Sequence, residues 1–359
     1  MKIGILTYHR SLNFGAMLQA VALRIVLERL GYKVSYVDYW PEHQVDMYRL
    51  FNFNRFRNLN FYQKIKYAVH VIITLCPELI KRYHFSIFYK EHIKKYLKPV
   101  HSSFDAVVYG SDQIWRWQNN EIGFNKVYFG DNSLKTQKHI SYAASMGKLP
   151  SSSKASNIFI NLIKNINCIS VRERSLLVFL SDNGINNVSL VLDPTLLLNV
   201  KEWCGFVNEK RIIKEPYLLL YDLQKCVINY DDVRCFAKKR GLKIVRIKRV
   251  DERKHYEGDR KTDGPLEFLN LIKNASFVIT SSYHGLIFSI IFNCPFLSFF
   301  KENRDRPESL LSVLGLSDYL LDNSRNLPDD VEAVNWVTVN NRIESLRADS
   351  INYLVTCLR

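Results

Sequence analysis

The sequence has few cysteines, and none of them falls in a pattern that binds metal or forms a redox pair. Its seven cysteines are scattered, with no two closer than nine residues, so neither a C-x-x-C motif nor a zinc-ligand spacing occurs. An odd, dispersed set is typical of reduced thiols in a cytoplasm, most of them small buried side chains. We therefore expect a cytoplasmic protein without a disulfide framework and without a bound metal.

Long apolar runs of the kind that cross a membrane are also lacking. Phe277–Phe300 holds no Lys, Arg, Asp or Glu over 24 residues, which would be long enough for a spanning helix. A polar turn at Ser281–Gly285 and a proline, Pro295, divide it, so we predict a strand, a short helix and a second strand. The first apolar run stops at Tyr8, too early for a secretory signal peptide, and we expect no export.

The glycine motifs of nucleotide-binding proteins are missing as well. Neither G-x-G-x-x-G nor G-x-x-x-x-G-K-[ST] occurs, which argues against a dinucleotide or P-loop site. The nearest feature is Asn13-Phe14-Gly15, which opens a predicted helix whose N-terminus could hold an anion.

The order of predicted elements indicates an α/β fold. A strand at Lys2–Thr7, a helix ending near Leu30 and a strand at Lys33–Tyr39 form a βαβ unit, which implies a parallel sheet. A second block of alternating strands and helices begins near Pro216, with predicted strands at Tyr217–Tyr221 and Lys243–Ile247. We predict two Rossmann-like domains with a cleft between them. The boundaries are residues 1–200 with a basic, aromatic helical insertion at about 41–100 that Pro77 divides, residues 201–330, and a helical tail at 331–359.

The net charge of +15 is concentrated in two segments. Arg49–Lys98 carries +9 and interleaves 11 aromatic residues with 11 cations, whereas Arg234–Lys261 carries +8 and the rest of the chain −2. The first composition suits an anionic membrane surface, single-stranded nucleic acid, or an insertion whose aromatics face the core. Because no nucleic-acid-binding motif accompanies the charge, we expect no nucleic acid partner and favour the membrane. We expect the second segment near the cleft, attracting anionic substrate.

Polar residues collect directly after predicted strands, at the edge where open α/β sheets bind ligands. They are Asn13, Gly15, Ser111, Asp112, Ser145, Arg172, Ser282, Tyr283 and His284.

Each candidate has a functional and a structural interpretation. His284, between an apolar strand and an apolar helix, suits a general acid or base, or it bonds the turn. Asp112 either orients a base or a sugar hydroxyl, or caps a turn. Arg172 either grips a phosphate or carboxylate, or joins a surface charge set. Arg304 and Arg306 either close on an anion or form plain salt bridges. We interpret Asp193-Pro194-Thr195 as a structural turn.

Several of these segments together resemble the polysaccharide pyruvyl transferase family. The resemblance runs in order from Lys2 to about Leu316. Its pieces are Lys2–Leu6 with Asn13–Gln19, Tyr109–Trp115, Ile140–Gly147, Val171–Glu173, Leu192–Leu197, Ser281–Gly285 with Phe288–Ile290, and Arg306 ahead of Ser309–Leu311. The family implies transfer of pyruvate from phosphoenolpyruvate to a sugar, usually as a cyclic ketal, on a two-domain architecture resembling GT-B glycosyltransferases. The sequence departs from some branches at Ser282, where they carry arginine, and at Leu286-Ile287.

By this resemblance His284 is the active-site histidine and Arg172 a phosphoenolpyruvate-binding arginine. Our hypothesis adds Arg306 as a second clamp for the donor, and Asp112, Asn13 and Ser145 as groups that orient the acceptor hydroxyls. No cofactor is expected beyond the donor itself, and the acceptor, either free or lipid-linked, would belong to a capsular or surface polysaccharide. The enzyme would then work in the cytoplasm or at the inner face of the membrane, which Arg49–Lys98 would help it to reach.

The alternative enzyme is a nucleotide-sugar glycosyltransferase of the same architecture. Retaining members usually carry two glutamates eight positions apart in the second domain. The residues eight positions after Glu302 and Glu308 are Leu310 and Leu316, so that signature is absent.

Overall fold

The structure is a computed structural model of the 359-residue chain. It describes residues 1–41, 44–45, 48–118, 123–224, 229–252, 254–322 and 327–359, and of residues 54 and 55 the backbone alone.

The first half of the chain forms a parallel sheet in the order β3-β2-β1-β4-β5. Its strands are β1 Lys2–Leu6, β2 Lys33–Asp38, β3 Leu97–Pro99, β4 Ala106–Tyr109 and β5 His139–Ser141. Two further parallel strands, β6 Ile169–Val171 and β7 Val188–Leu190, continue it, because the bridges Ile140–Cys168 and Ala144–Val171 join β6 to the β5 edge. The helices Phe14–Arg29, Ser153–Ile163 and Arg174–Asp182 connect these strands.

The second half forms another all-parallel sheet, in the order β10-β9-β8-β11-β12-β13. Its strands are β8 Tyr217–Tyr221, β9 Lys243–Ile247, β10 Asp259–Arg260, β11 Phe277–Thr280, β12 Phe296–Phe299 and β13 Leu320–Leu321. The helices Val200–Cys204, Tyr230–Lys239, Pro265–Lys273, Tyr283–Ile291 and Asp305–Leu314 accompany it. The four strands β8, β9, β11 and β12 have the bounds that the sequence predicts, because Gly or Pro residues delimit most of them.

The final helix, Trp336–Leu358, returns to the first sheet. The Tyr353 hydroxyl donates to the Ser141 carbonyl oxygen at 2.9 Å, and the Leu192 N–H donates to the Ser350 hydroxyl at 3.0 Å. The helical tail that we predict at 331–359 is thus attached to the half of the molecule from which it is most distant in sequence. The boundaries at 200 and 330 stay a prediction.

The basic insertion contains a short helix, Phe53–Arg57, and a 32-residue helix, Phe61–His92. We expected Pro77 to divide this segment, and that prediction is wrong, because Pro77 lies inside the long helix. A proline there removes one backbone donor, which leaves the Ile73 carbonyl without its helical partner. Ile73 is 70% exposed, so water can bond that carbonyl instead.

Only the last turns of the long helix place their aromatic residues in the core. Phe85 and Phe88 are buried, whereas Phe61 is 80% and Tyr62 64% exposed. The interpretation in which the insertion's aromatics face the core therefore holds for the end of the helix alone. No helix in the described part of the chain combines the length and hydrophobicity needed to span a bilayer.

Several cations of the second basic segment are held in ion pairs. Arg246 pairs with Glu252 at 2.5 Å and with Asp259 at 2.7 Å, Lys248 lies 3.3 Å from Asp259, and Arg260 bonds Asp263. Glu252 and Asp259 belong to Arg234–Lys261 and are already counted in its +8, so among these partners only Asp263 offsets that net charge.

Candidate active site

The carboxyl ends of strands from both sheets meet at one cleft. Ser111 and Asp112 come just after β4, and Arg172 directly follows β6. From the other sheet, the turn after β11 leads into the helix Tyr283–Ile291, which carries His284 in its first turn. The sequence predicts this helix from Leu286. It begins three residues earlier because the Ser282 hydroxyl accepts from the Gly285 N–H at 3.3 Å and caps it.

A buried carboxylate, Asp193, lies at the centre of the cleft. Its Oδ2 accepts from Arg172 Nη1 at 2.6 Å and from the Ser111 hydroxyl at 3.1 Å. Its Oδ1 accepts from the Thr195 N–H at 3.0 Å and the Thr195 hydroxyl at 2.7 Å. The side chains of Asp193 and Arg172 are 0% and 1% exposed, so this ion pair is shielded from water.

His284 brings the second half of the molecule to the same carboxylate. Its Nε2 lies 3.6 Å from Asp193 Oδ2, and its side chain is 12% exposed. Burial acts to raise the pKa of Asp193, but His284 and the Arg172 guanidinium outweigh burial and hold it well below its usual range. Asp193 is therefore ionised at neutral pH. An ionised carboxylate can only accept hydrogen bonds, so Asp193 favours the form of His284 in which the ring nitrogen facing it carries a hydrogen.

Gly15 lies directly against the His284 ring. A Cβ atom at position 15 would come within 1.9 Å of His284 Nδ1. The first turn of the helix Phe14–Arg29 can approach the imidazole this closely only because residue 15 has no side chain. Gly15 thus contributes space for the ring.

Arg306 and Tyr283 form a second layer beside this centre. The guanidinium carbons of Arg172 and Arg306 lie 4.9 Å and 5.4 Å from the centroid of the Tyr283 ring. Arg306 Nε is 3.9 Å from Glu173 Oε1, which also accepts from the Ser145 hydroxyl. Burial raises the pKa of Glu173 although Arg172 and Arg306 act to lower it, and burial together with Arg172 lowers the pKa of Arg306.

Three guanidinium N–H groups in this layer are buried without a protein acceptor in the described part of the chain. They are Arg172 Nε, Arg172 Nη2 and Arg306 Nε. A buried charged donor without an acceptor is costly, so such groups are usually completed by a ligand or water. Two arginines with unused donors suit the oxygens of a phosphate or a carboxylate.

Asp112 lies at the more open side of the site and is half-buried. Its Oδ1 accepts from the Gln113 N–H at 2.7 Å, which is the turn-capping contact that its structural interpretation predicts. Burial and the charge of Asp112 both raise the pKa of Tyr48, whose hydroxyl is near Ser11. The Asp112 carboxylate therefore lies near the hydroxyl groups of Tyr48 and Ser11.

The remaining predicted residues are placed as follows. Asn13 is exposed, and its Oδ1 accepts from the Ala16 N–H at 3.1 Å, so that oxygen caps a helix. Ser145 is buried and bonded to Glu173 rather than open to the cleft. Arg304, which we considered together with Arg306, pairs with Glu308 at 2.8 Å and Asp322 at 3.2 Å. Of its two interpretations, anion binding and a plain salt bridge, Arg304 therefore fits the salt bridge.

Sequence reasoning missed two members of the site, Asp193 and Glu173. We interpreted Asp193 as a structural turn residue, and it does bond Thr195 in that way. Its second carboxylate oxygen, however, contacts Arg172, Ser111 and His284. Its position in the sequence could have identified it, because Asp193 closely follows β7, as the other candidates follow their strands.

The described residues contain no group of three or more His, Cys, Asp and Glu side chains that could hold a metal ion.

A family model for the polysaccharide pyruvyl transferases matches residues 13–299. The match covers most of the chain and all the residues of the cleft except Arg306, and the protein belongs to this family of transferases. A search of curated proteins finds no match.

Solved structures with the same fold are GT-B proteins of low sequence identity. One, assigned as a UDP-N-acetylglucosamine 2-epimerase from Listeria monocytogenes, superposes with a TM-score of 0.50 at 10% identity over 98% of this chain and 90% of that chain. The UDP-GlcNAc 2-epimerase of Neisseria meningitidis has a TM-score of 0.48 at 10% identity, over 100% and 99%. That of Methanocaldococcus jannaschii has 0.47 at 13%, over 97% and 93%. The two all-parallel sheets and the match to the Listeria structure show the predicted pair of Rossmann-like units in the GT-B arrangement.

Proposed function

We propose that the protein transfers pyruvate from phosphoenolpyruvate to two hydroxyls of a sugar in a polysaccharide precursor, forming a cyclic ketal. The observation that carries the proposal is the pair of buried arginines with unused donors beside His284. Phosphoenolpyruvate carries its phosphate and its carboxylate on the same enol carbon, and each anion can accept from such donors. The family to which the chain belongs supports the coarser part of the proposal, the transfer of a pyruvyl group to a polysaccharide sugar.

The reaction needs a proton donor first and a proton acceptor later. A proton is added to the methylene carbon of the enol, which leaves an oxocarbenium-like carbon that one sugar hydroxyl attacks. The carbon–oxygen bond to phosphate then breaks, phosphate leaves, and the second hydroxyl closes the ring. Of the two hydroxyl protons, one balances the new methyl group and the other leaves with phosphate. An imidazole beside a carboxylate can perform both transfers near neutral pH.

The other residues have positioning and electrostatic roles in this scheme. Arg172 and Arg306 bind the donor's anionic groups and stabilise the phosphate as it leaves. Asp193 holds Arg172 and faces the His284 ring, so it orients both. Asp112, which is half-buried, and Asn13, which is exposed, orient the acceptor hydroxyls, and Ser145 acts through Glu173.

Product analysis with phosphoenolpyruvate and candidate oligosaccharides tests the proposal. We expect the acceptor to gain the mass of one pyruvate less one water, with release of one phosphate. His284→Ala should lower turnover about 100-fold or more, because that is the usual contribution of a general acid or base. His101→Ala, at an exposed position, is the matched control. A hexose gain would identify a glycosyltransferase instead, and near-normal turnover of His284→Ala would remove the histidine from the mechanism.

A further inference from the structure

The outer part of the helix Phe61–His92 exposes an unusually large apolar surface. Its exposed hydrophobic side chains are Phe61, Tyr62, Ile65, Val69, Ile72, Ile73, Leu75, Leu79, Ile80 and Tyr83. At 3.6 residues per turn these positions fill about 160° of the circumference over a length of about 34 Å. We call this the outer face. Water-soluble surfaces seldom keep an apolar patch of this size uncovered.

Charge indicates what covers the outer face. Between Phe61 and Tyr83 the helix has four cations and one acid, Glu78. Arg82 lies 4.0 Å from Glu78 and donates to the Tyr48 carbonyl oxygen, and Lys81 is half-buried, so Lys64 and Lys66 are the cations of the outer turns. Lys66 lies beside the apolar band, with its ammonium 4.2 Å from the centroid of the Tyr62 ring. An apolar band bordered by Lys and Arg, with aromatic residues on the apolar side, is the pattern of a helix lying in the interface of an anionic bilayer.

The width of the outer face favours a membrane over a second copy of the chain. Two helices that pair as a coiled coil need only a narrow seam of two positions per heptad. The outer face is wider than such a seam, because it also includes Phe61, Ile73 and Ile80, which lie outside the positions that a coiled-coil seam would use. The exposed fractions of these three side chains are 80%, 70% and 43%. A flat lipid surface covers a broad band, whereas a single partner helix does not.

We propose that the outer face is a membrane-docking surface that binds anionic lipid bilayers. The helix lies along the bilayer interface, with the apolar band in the acyl boundary and the cations among the headgroups. This proposal concerns the location of the protein and does not depend on which group the cleft transfers.

The inner end of the same helix connects docking to the cleft. His84 Nδ1 lies 2.8 Å from the Thr262 carbonyl oxygen, and Phe85 stacks on Phe14 with ring centroids 5.4 Å apart. Phe14 precedes Gly15, on which His284 rests. A bilayer bound to the outer face would therefore hold the cleft at a fixed position relative to the membrane, which suits an acceptor attached to a lipid.

Flotation of the full chain with liposomes tests the proposal. The vesicles are phosphatidylcholine alone, or phosphatidylcholine with about one phosphatidylglycerol in three. The test variant is Ile72→Ser with Ile73→Ser and Ile80→Ser, which keeps the charge. The matched control is Val178→Ser with Val313→Ser and Val337→Ser, at positions 45%, 40% and 72% exposed on other helices.

We expect the unchanged protein and the control to float with the anionic vesicles, less with neutral ones and less at high salt. The test variant should lose at least tenfold in binding, since its apolar anchor is gone. Equal flotation of the test variant and the unchanged protein would overturn the proposal. So would a protein that binds no vesicle and sediments as a dimer that the test variant breaks, because the outer face would then join two copies.

Discussion

At the residue scale, the site depends on one carboxylate that contacts an arginine and a histidine from different halves of the chain. Asp193 bonds Arg172 within the first half and faces His284 from the second. Sequence reasoning found Arg172 and His284 because a basic side chain directly after a strand is noticeable. It missed Asp193 because an Asp before Pro is usually a turn residue, and only the tertiary structure brings its second oxygen to the histidine.

Asp193→Asn should destabilise the fold by about 3 kcal/mol or more at neutral pH, because it leaves the buried Arg172 without its partner charge. The pKa of Asp193 is lower in the folded protein than in the unfolded chain. Its contribution to the free energy of unfolding is therefore present above the unfolded pKa of about 4 and is lost as the pH falls below it. The stability gap between the two proteins should narrow by about 1.4 kcal/mol for each pH unit below 4.

Urea unfolding at several pH values measures that gap. Asp318→Asn, at an exposed position, is the control and should unfold as the unchanged protein does. A gap that stays constant from pH 6 to pH 3 would contradict an ionised Asp193 with a depressed pKa.

Gly15→Ala should displace the His284 ring, since the new Cβ would come within 1.9 Å of its Nδ1. We expect a loss of stability of about 1–3 kcal/mol from overpacking, and about 100-fold lower turnover from the misplaced ring. A double-mutant cycle checks the cause. In a His284→Ala background the space is free, and Gly15→Ala should then cost little stability. An equal cost in both backgrounds would place the strain elsewhere.

At the element scale, the sequence predicts strands better than helix ends and interruptions. The bounds of β8, β9, β11 and β12 follow from short apolar runs ended by turn residues. The start of the helix Tyr283–Ile291 was predicted three residues late, because Tyr and His in a first turn look like loop residues until Ser282 is seen to cap it. Pro77 does not end its helix, since the exposed surface there tolerates an unpaired carbonyl.

The three stacked rings of Phe14, Phe85 and Phe268 join three helices beside the cleft. The Phe14 ring centroid lies 5.4 Å from that of Phe85 and 4.6 Å from that of Phe268. Phe85 is 2% exposed, so Phe85→Ala should cost about 3–5 kcal/mol of unfolding free energy. Phe61→Ala, in the same helix but 80% exposed, should cost almost nothing. Similar losses for both variants in urea unfolding would show that the outer turns of the helix are also packed.

At the scale of the whole molecule, the cleft is built from both halves of the chain. Asp193, Arg172 and Glu173 belong to the first half and His284, Tyr283 and Arg306 to the second. The alternation of strands and helices was sufficient to predict two Rossmann-like units and the edge at which ligands bind. The sequence spacing could not predict that the carboxyl ends of the two sheets face each other across the cleft. That arrangement depends on contacts between residues more than 80 positions apart, such as Asp193 and His284.

A donor held by Arg172 and Arg306 would therefore stabilise the two halves against each other. On the proposed function, phosphoenolpyruvate at 100 times its dissociation constant should raise the free energy of unfolding by about 2.7 kcal/mol. Arg306→Gln should lose most of this gain, because a neutral amide replaces a buried guanidinium with an unused donor.

Arg304→Gln is the matched control, two positions away and engaged with Glu308 and Asp322 outside the cleft. Thermal unfolding with increasing phosphoenolpyruvate should show the same ligand-dependent rise for Arg304→Gln as for the unchanged protein. If Arg306→Gln kept the full rise, Arg306 would not bind the donor, and Arg172 alone would have to bind both its phosphate and its carboxylate. If inorganic phosphate reproduced the entire rise at the same concentration, the site would recognise phosphate without the enolpyruvate carboxylate, because a second anionic group should add its own interactions.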